Sequence, residues 1–116
     1  MSEPAIVSNL AQHTGTDRQF QFTVLRSDRV TPQDLTSWVA VSFIVYAYDD
    51  PNIVYVTKTV GSGVTFTDRT NGIITAAVDA ADIANLRPGQ YAWRLERTDS
   101  GSDFVVGIGL YSLLGK

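Results

Sequence analysis

At 116 residues, 44 % apolar and 18 % charged, the chain has the size and composition of one folded domain and is too rich in aromatic and β-branched residues for disorder. Nine Lys and Arg against twelve Asp and Glu give a formal charge of −3 with no basic stripe, which argues against nucleic acid or an anionic membrane as partner. The lack of cysteine excludes disulfides, thiolate nucleophiles and sulfur-ligated zinc, and leaves the redox compartment open.

Residues 1–16 read as an N-terminal arm and residues 17–116 as the domain. Met1-Ser2-Glu3-Pro4 carries a carboxylate and no long apolar stretch, so it does not read as a signal peptide, and synthesis in the cytoplasm is the expectation. In the arm, Ile6 and Val7 form an apolar patch that can add an edge strand or pack across the domain. Gln19–Leu25 alternates, with Phe20, Phe22 and Val24 on one face at the strand period of two. Arg26–Ser37 holds Asp28, Pro32, Asp34 and Ser37 and reads as a loop.

Trp38–Tyr48 is a β-branched and aromatic run with Val39, Val41, Phe43 and Val45 on one face. Trp38, Ala40, Ile44, Tyr46 and Tyr48 fall on the other. Asp49-Asp50-Pro51-Asn52 turns the chain into a strand over Ile53–Val60, closed by Gly61-Ser62-Gly63. Val64–Thr67 and Ile73–Val78 pair across Asn71-Gly72, a dipeptide that supplies the positive φ of a tight hairpin. Asp79–Leu86 is the one helix-like segment, a short turn over Ala80–Leu86 with Asp79 as cap and Asp82 near its positive end. Tyr91–Arg97 is a strand with Tyr91, Trp93 and Leu95 inside and Arg94 and Glu96 outside. Thr98–Asp103 is a hairpin loop, and Phe104–Leu114 is the last strand, where Gly107 and Gly109 mark a bulge or a close backbone approach. About seven or eight short strands with regular turn signals predict an all-β, two-sheet sandwich.

A strand of such a sandwich puts one face into the core and the other into water, yet Val39–Tyr48 and Phe104–Leu114 are apolar on both. Their second face needs a cover, either a partner subunit or the N-terminal arm. The candidate interface residues are Trp38, Tyr46 and Tyr48 on the long strand, Ile6 and Val7 in the arm, and Tyr111, Leu113 and Leu114 at the C-terminus.

The chain lacks the residues of a catalytic constellation. His13 is the only imidazole, so a histidine-centred triad or zinc site is hard to build, and it reads as a polar loop residue. Asp49-Asp50-Pro51-Asn52 and Asp99–Asp103 offer clustered oxygens of the kind calcium takes, without EF-hand spacing, and read first as turns. The glycines at 61, 63, 107 and 109 are followed by no Gly-Lys-Ser/Thr and no helix, so they form no phosphate loop. Tyr46, Tyr48, Tyr55 and Tyr111 can line a platform for sugars or bases, or belong to core and interface. No cofactor or metal is expected.

Several stretches together resemble the immunoglobulin-like domain of tailed-bacteriophage structural proteins, including the N-terminal domain of baseplate upper proteins. They are Gln19–Leu25, Asp34–Trp38 leading into a long strand, Thr67–Gly72 before Ile73-Ile74-Thr75, Asp79–Leu86, Pro88–Tyr91 and the Asp99–Asp103 hairpin. The last strand departs from that family's more polar, Thr-rich pattern. The resemblance implies an immunoglobulin-like sandwich and a virion component that supplies surface and packing, with no catalytic residues to transfer. Within that class, a single domain fits a head decoration (cement) protein that binds the major capsid protein on the head surface, as a homo-oligomer such as a trimer. A tail or baseplate accessory subunit is the alternative, and a carbohydrate-binding module the alternative from another class.

Overall fold

The structure is a computed structural model that describes residues 6–7, 9–25, 31–99 and 104–115. Where apolar residues alternate, strands form: β1 (Ile6–Val7), β2 (Leu10–His13), β3 (Arg18–Thr23), β4 (Val41–Ala47) and β5 (Asp50–Val60). After them come β6 (Gly63–Asp68), β7 (Ile73–Val78), β8 (Gly89–Arg97) and β9 (Phe104–Leu114). The protein is all-β, and the only helical element among the described residues is a 3-10 turn, Ala80–Ile83. That turn falls where a helical turn is expected. The Asp82 carboxylate accepts from Asp79 N–H at 2.8 Å, Asp17 accepts from Ala80 N–H at 2.7 Å, and Ile83 is buried beneath.

The strands follow one hydrogen-bonded path, β1-β9-β8-β4-β5-β6-β7-β3, with β2 also on β9. Its weak link is between β5 and β6, joined by two residue pairs, Thr59 with Gly63 and Val60 with Val64. Around that link the sheet folds over into two layers, β9-β8-β4-β5 and β6-β7-β3, whose inner faces meet. Phe22 of the second layer lies 5.0 Å from Trp93 and 5.9 Å from Phe43 of the first, and Phe20 stacks on Phe43 at 6.2 Å. Around these rings Val41, Val45, Ile74, Leu95, Val106 and Leu113 close a single core.

One layer thus carries the last strand, its predecessor and the two central strands, while the other carries the sixth, seventh and third. This is the arrangement of the immunoglobulin-type sandwich with an extra strand on the central sheet. A second mark agrees. Tyr91, near the start of β8, donates its hydroxyl back to Arg87 O at 2.7 Å, the corner that fixes the entry of this strand in that fold. In disulfide-bonded members the residue two positions on is a cysteine. Trp93 stands there instead, against Phe22, so an aromatic contact holds the two layers where a disulfide otherwise would.

Two strands from the stretch read as an arm join this sheet. β1 and β2 run parallel along the outer edge of β9, with Ile6 opposite Gly107 and Leu10 through His13 opposite Tyr111 through Leu114. They extend the sheet sideways and do not cover its second face. Gln12 of β2 is buried, and its amide donates to Thr16 O at 2.8 Å and to Val78 O at 2.9 Å in the opposite layer, while its oxygen accepts from the Tyr111 hydroxyl.

The β6–β7 turn uses the predicted Asn71-Gly72. Gly72 adopts φ 72°, and a Cβ there would lie 2.5 Å from Val24 O and 2.8 Å from Gln33 O. Backbone approach as well as turn geometry therefore demands glycine. The expected irregularity near Gly107 is a register shift between Leu95 and Glu96, where their partners step from Gly107 to Val105.

Candidate functional site

The second face of the β9-β8-β4-β5 layer follows from register, because cross-strand partners share a face. Ile44 stands opposite Arg94 and Tyr46 opposite Ala92. Arg94 in turn faces Ile108, Ala92 faces Leu110, and Glu96 faces Val105. On the far side Val54 pairs with Tyr46, and Thr57 and Thr59 with Ile44 and Ser42. The result is an apolar field with one ion pair at its centre and hydroxyl-bearing residues along the β5 side. Arg94 Nε lies 3.3 Å from a Glu96 oxygen, and the guanidinium sits 5.1 Å over the Tyr46 ring. Its stem can then shield Ile44, which is buried although it faces outward. Val54, Val105 and Ile108 remain 36–44 % exposed.

The candidate interface residues divide against this map. Tyr46 is on the second face, half-buried under Arg94. Leu114 is exposed at the end of β9, and Tyr48 is 61 % exposed in the β4–β5 turn. Ile6 and Val7 pair their backbone with β9, and their side chains lie outside the described residues. Trp38, Tyr111 and Leu113 belong to the protein's own core and cannot serve as contacts.

Trp38 turns inward, not outward as strand alternation predicts, for a local reason. The strand begins at Val41, so strand alternation does not reach back to residue 38. Arg69 Nη1 donates to Trp38 O at 2.6 Å, the Arg97 guanidinium lies 4.8 Å from the indole, and the Asp99 carboxylate accepts from Val39 and Ala40 N–H. These contacts turn the indole inward and Val39 outward. Tyr111 and Leu113 alternate with Leu110, Ser112 and Leu114, and their partners Tyr91 and Gly89 place them on the inner face. Val105 reaches this face only through the bulge at Glu96, which breaks the alternation of β9, whereas Ile108 keeps the period of Leu110 and Leu114 and is hidden in the sequence by apolar residues on both faces.

A second concavity lies at the end of this layer, between the β4–β5 turn and the start of β8. Tyr48, Asp49, Tyr55, Gln90 and Tyr91 line about 320 Å³ of space. Tyr55 meets Tyr91 edge-on at 5.3 Å.

His13 is exposed on β2, and its carbonyl accepts from the Thr16 hydroxyl. No group of three or more His, Cys, Asp or Glu that could hold a metal exists among the described residues. Two of the turn carboxylates are tied up locally: Asp50 accepts from Asn52 N–H at 3.0 Å, and Asp99 accepts from the Val39 and Ala40 amides and from Arg97 Nε, the last at 2.7 Å. The Arg97 bond, reinforced by the Val39 and Ala40 amides, lowers the Asp99 pKa against the opposing effect of burial. Ser100–Asp103 lie outside the described residues.

No known protein-family profile matches the chain, and no curated protein matches it.

Proposed function

We propose that the chain is a non-catalytic structural subunit of a bacteriophage virion, a head decoration protein that binds capsid subunits through the second face of the β9-β8-β4-β5 layer. The virion assignment rests on the sequence resemblance described above. The observation that carries the mode of action is the second face itself. Val54, Val105 and Ile108 stand exposed around the Arg94–Glu96 pair, and β1 and β2 leave the face open by running along the β9 edge.

Full burial of such a side chain contributes about 1.5–3 kcal/mol. With 36–44 % of each still in water, covering all three gives roughly 2–4 kcal/mol before the cost of association. One copy of this face is therefore a weak binder, and repetition supplies the avidity that a cement protein needs. A trimer or a symmetric array meets that requirement. The central pair gives the partner a cation and a carboxylate to answer, which sets orientation more than strength.

The test is fractionation of intact particles into heads and tails. A decoration protein stays with heads, and Ile108→Lys releases it. Recovery with tails identifies the tail or baseplate subunit instead. A monodisperse monomer that sediments with neither would end the virion reading.

A further inference from the structure

The concavity at the end of the sheet is built from surface that folding leaves unexplained. Tyr48 is 61 % and Tyr55 43 % exposed, and neither ring is needed to close the core. Tyr91 is held by its bond to Arg87 O, and Tyr55 is braced edge-on against it at an interplanar angle of 83°. The carboxylate of Asp49 and the amide of Gln90 border the same space, and neither has a side-chain hydrogen-bond partner among the described residues. Gly89 lines the same space, and an added Cβ there would meet nothing within 4 Å.

We propose that this pocket binds a neutral saccharide, with Tyr48 and the Tyr55–Tyr91 pair stacking against the C–H faces of a sugar ring. Asp49 and Gln90 take its hydroxyls. The chemistry selects the ligand class. A carboxylate only accepts, so its partner must bring O–H or N–H donors, and adjacent sugar hydroxyls can bring two; an amide both donates and accepts. A nucleotide or a sulfated sugar would bring negative charge to a lining with one carboxylate and no cation. A polyproline segment suits tyrosine surfaces, but its prolines lack the N–H groups that Asp49 requires. Because two of the three rings are already fixed, little ordering is lost on binding. The site is distinct from the second face, and it holds or fails independently of the virion reading.

The test is an amide chemical-shift titration of the full chain. The probes are glucose, galactose, mannose, N-acetylglucosamine and N-acetylgalactosamine, their short oligomers, sialic acid and a polyproline peptide. At least one neutral sugar is expected to shift the amides of Tyr48, Asp49, Gln90 and Tyr91. Tyr48→Ala and Asp49→Ala, both at exposed positions, should each weaken that binding about tenfold with the thermal midpoint nearly unchanged. Silence with every neutral sugar at tens of millimolar overturns the proposal. So do shifts confined to another surface, binding indifferent to both substitutions, or a response to sialic acid or polyproline alone.

Discussion

Gln12 and Tyr111 make the sharpest test of how the chain holds itself together, because they join three strands from two layers through one buried amide. The Tyr111 hydroxyl donates to Gln12 Oε1, and Gln12 Nε2 donates to Thr16 O and to Val78 O at the end of β7. Tyr111→Phe leaves the amide oxygen buried with no donor, at about 1–3 kcal/mol. Gln12→Met keeps the length but strands both the Tyr111 hydroxyl and Val78 O, at roughly 2–5 kcal/mol. In the double variant the Tyr111–Gln12 mismatch disappears, so its cost should fall short of the sum by about 1 kcal/mol or more. Urea denaturation of the four proteins at neutral pH measures this. Additivity within about 0.5 kcal/mol would refute the claim that the two groups act as a unit.

The same pair has a signature in alkali. Burial pushes the Tyr111 hydroxyl up from its ordinary 10.0 to about 12. The folded state thus favours the protonated form. Its contribution is intact below pH 10 and is lost as pH rises from 10 toward 12, by no more than roughly 3 kcal/mol in total and less where solvent screens the hydroxyl. Tyr111→Phe should lack this part of the alkaline loss, which a pH series of the urea midpoints will reveal.

Three further outcomes are expected. Gly72→Ala forces a Cβ onto Val24 O and Gln33 O at a left-handed backbone position and should cost about 1–3 kcal/mol or more, read as a lowered thermal midpoint. Asp99→Asn weakens the clasp on Val39, Ala40 and Arg97. Since the Asp99 pKa is depressed in the fold, its contribution is present above its ordinary value of 3.8 and lost as pH falls below it. The variant should be less stable at neutral pH, with a flatter acid limb in thermal melts from pH 7 to 2. Ile108→Lys, on the second face, should change stability by no more than about 0.5 kcal/mol and leave the oligomeric state seen by light scattering unchanged, while weakening attachment to heads.

Much of the fold was legible because its strands alternate cleanly. Phe20 and Phe22, and Trp93 with Leu95, announce their inner faces, and Asn71-Gly72 announces its turn. The contact surface was harder to read, since apolar composition at both faces does not say which face is which. Trp38 goes inward because Arg69, Arg97 and Asp99, all distant in sequence, fix the chain around it. The tyrosine pocket escaped for a related reason. Tyr91 packs against the core on the inner face, as its period predicts, and only the corner at Arg87 and the turn carrying Tyr48 bring its ring beside Tyr55 as well. Long-range hydrogen bonds leave no periodic trace.

The core also explains how the chain dispenses with cysteine. The two layers of an immunoglobulin-type sandwich meet mainly through side chains, and in antibody domains a disulfide clamps them together. Here the clamp is the contact of Phe22 with Trp93, backed by Phe43 and Phe20, and the Gln12 amide that reaches Val78 from the far edge. Aromatic pairs of this kind contribute about 0.5–1.5 kcal/mol each beyond their burial. A disulfide in such a domain contributes roughly 2–5 kcal/mol, so several contacts must share the work of one bond. The compensation is that none of them depends on an oxidant. The fold can form in a reducing compartment and persist in an oxidising one, which leaves the second face and the tyrosine pocket the same shape in both.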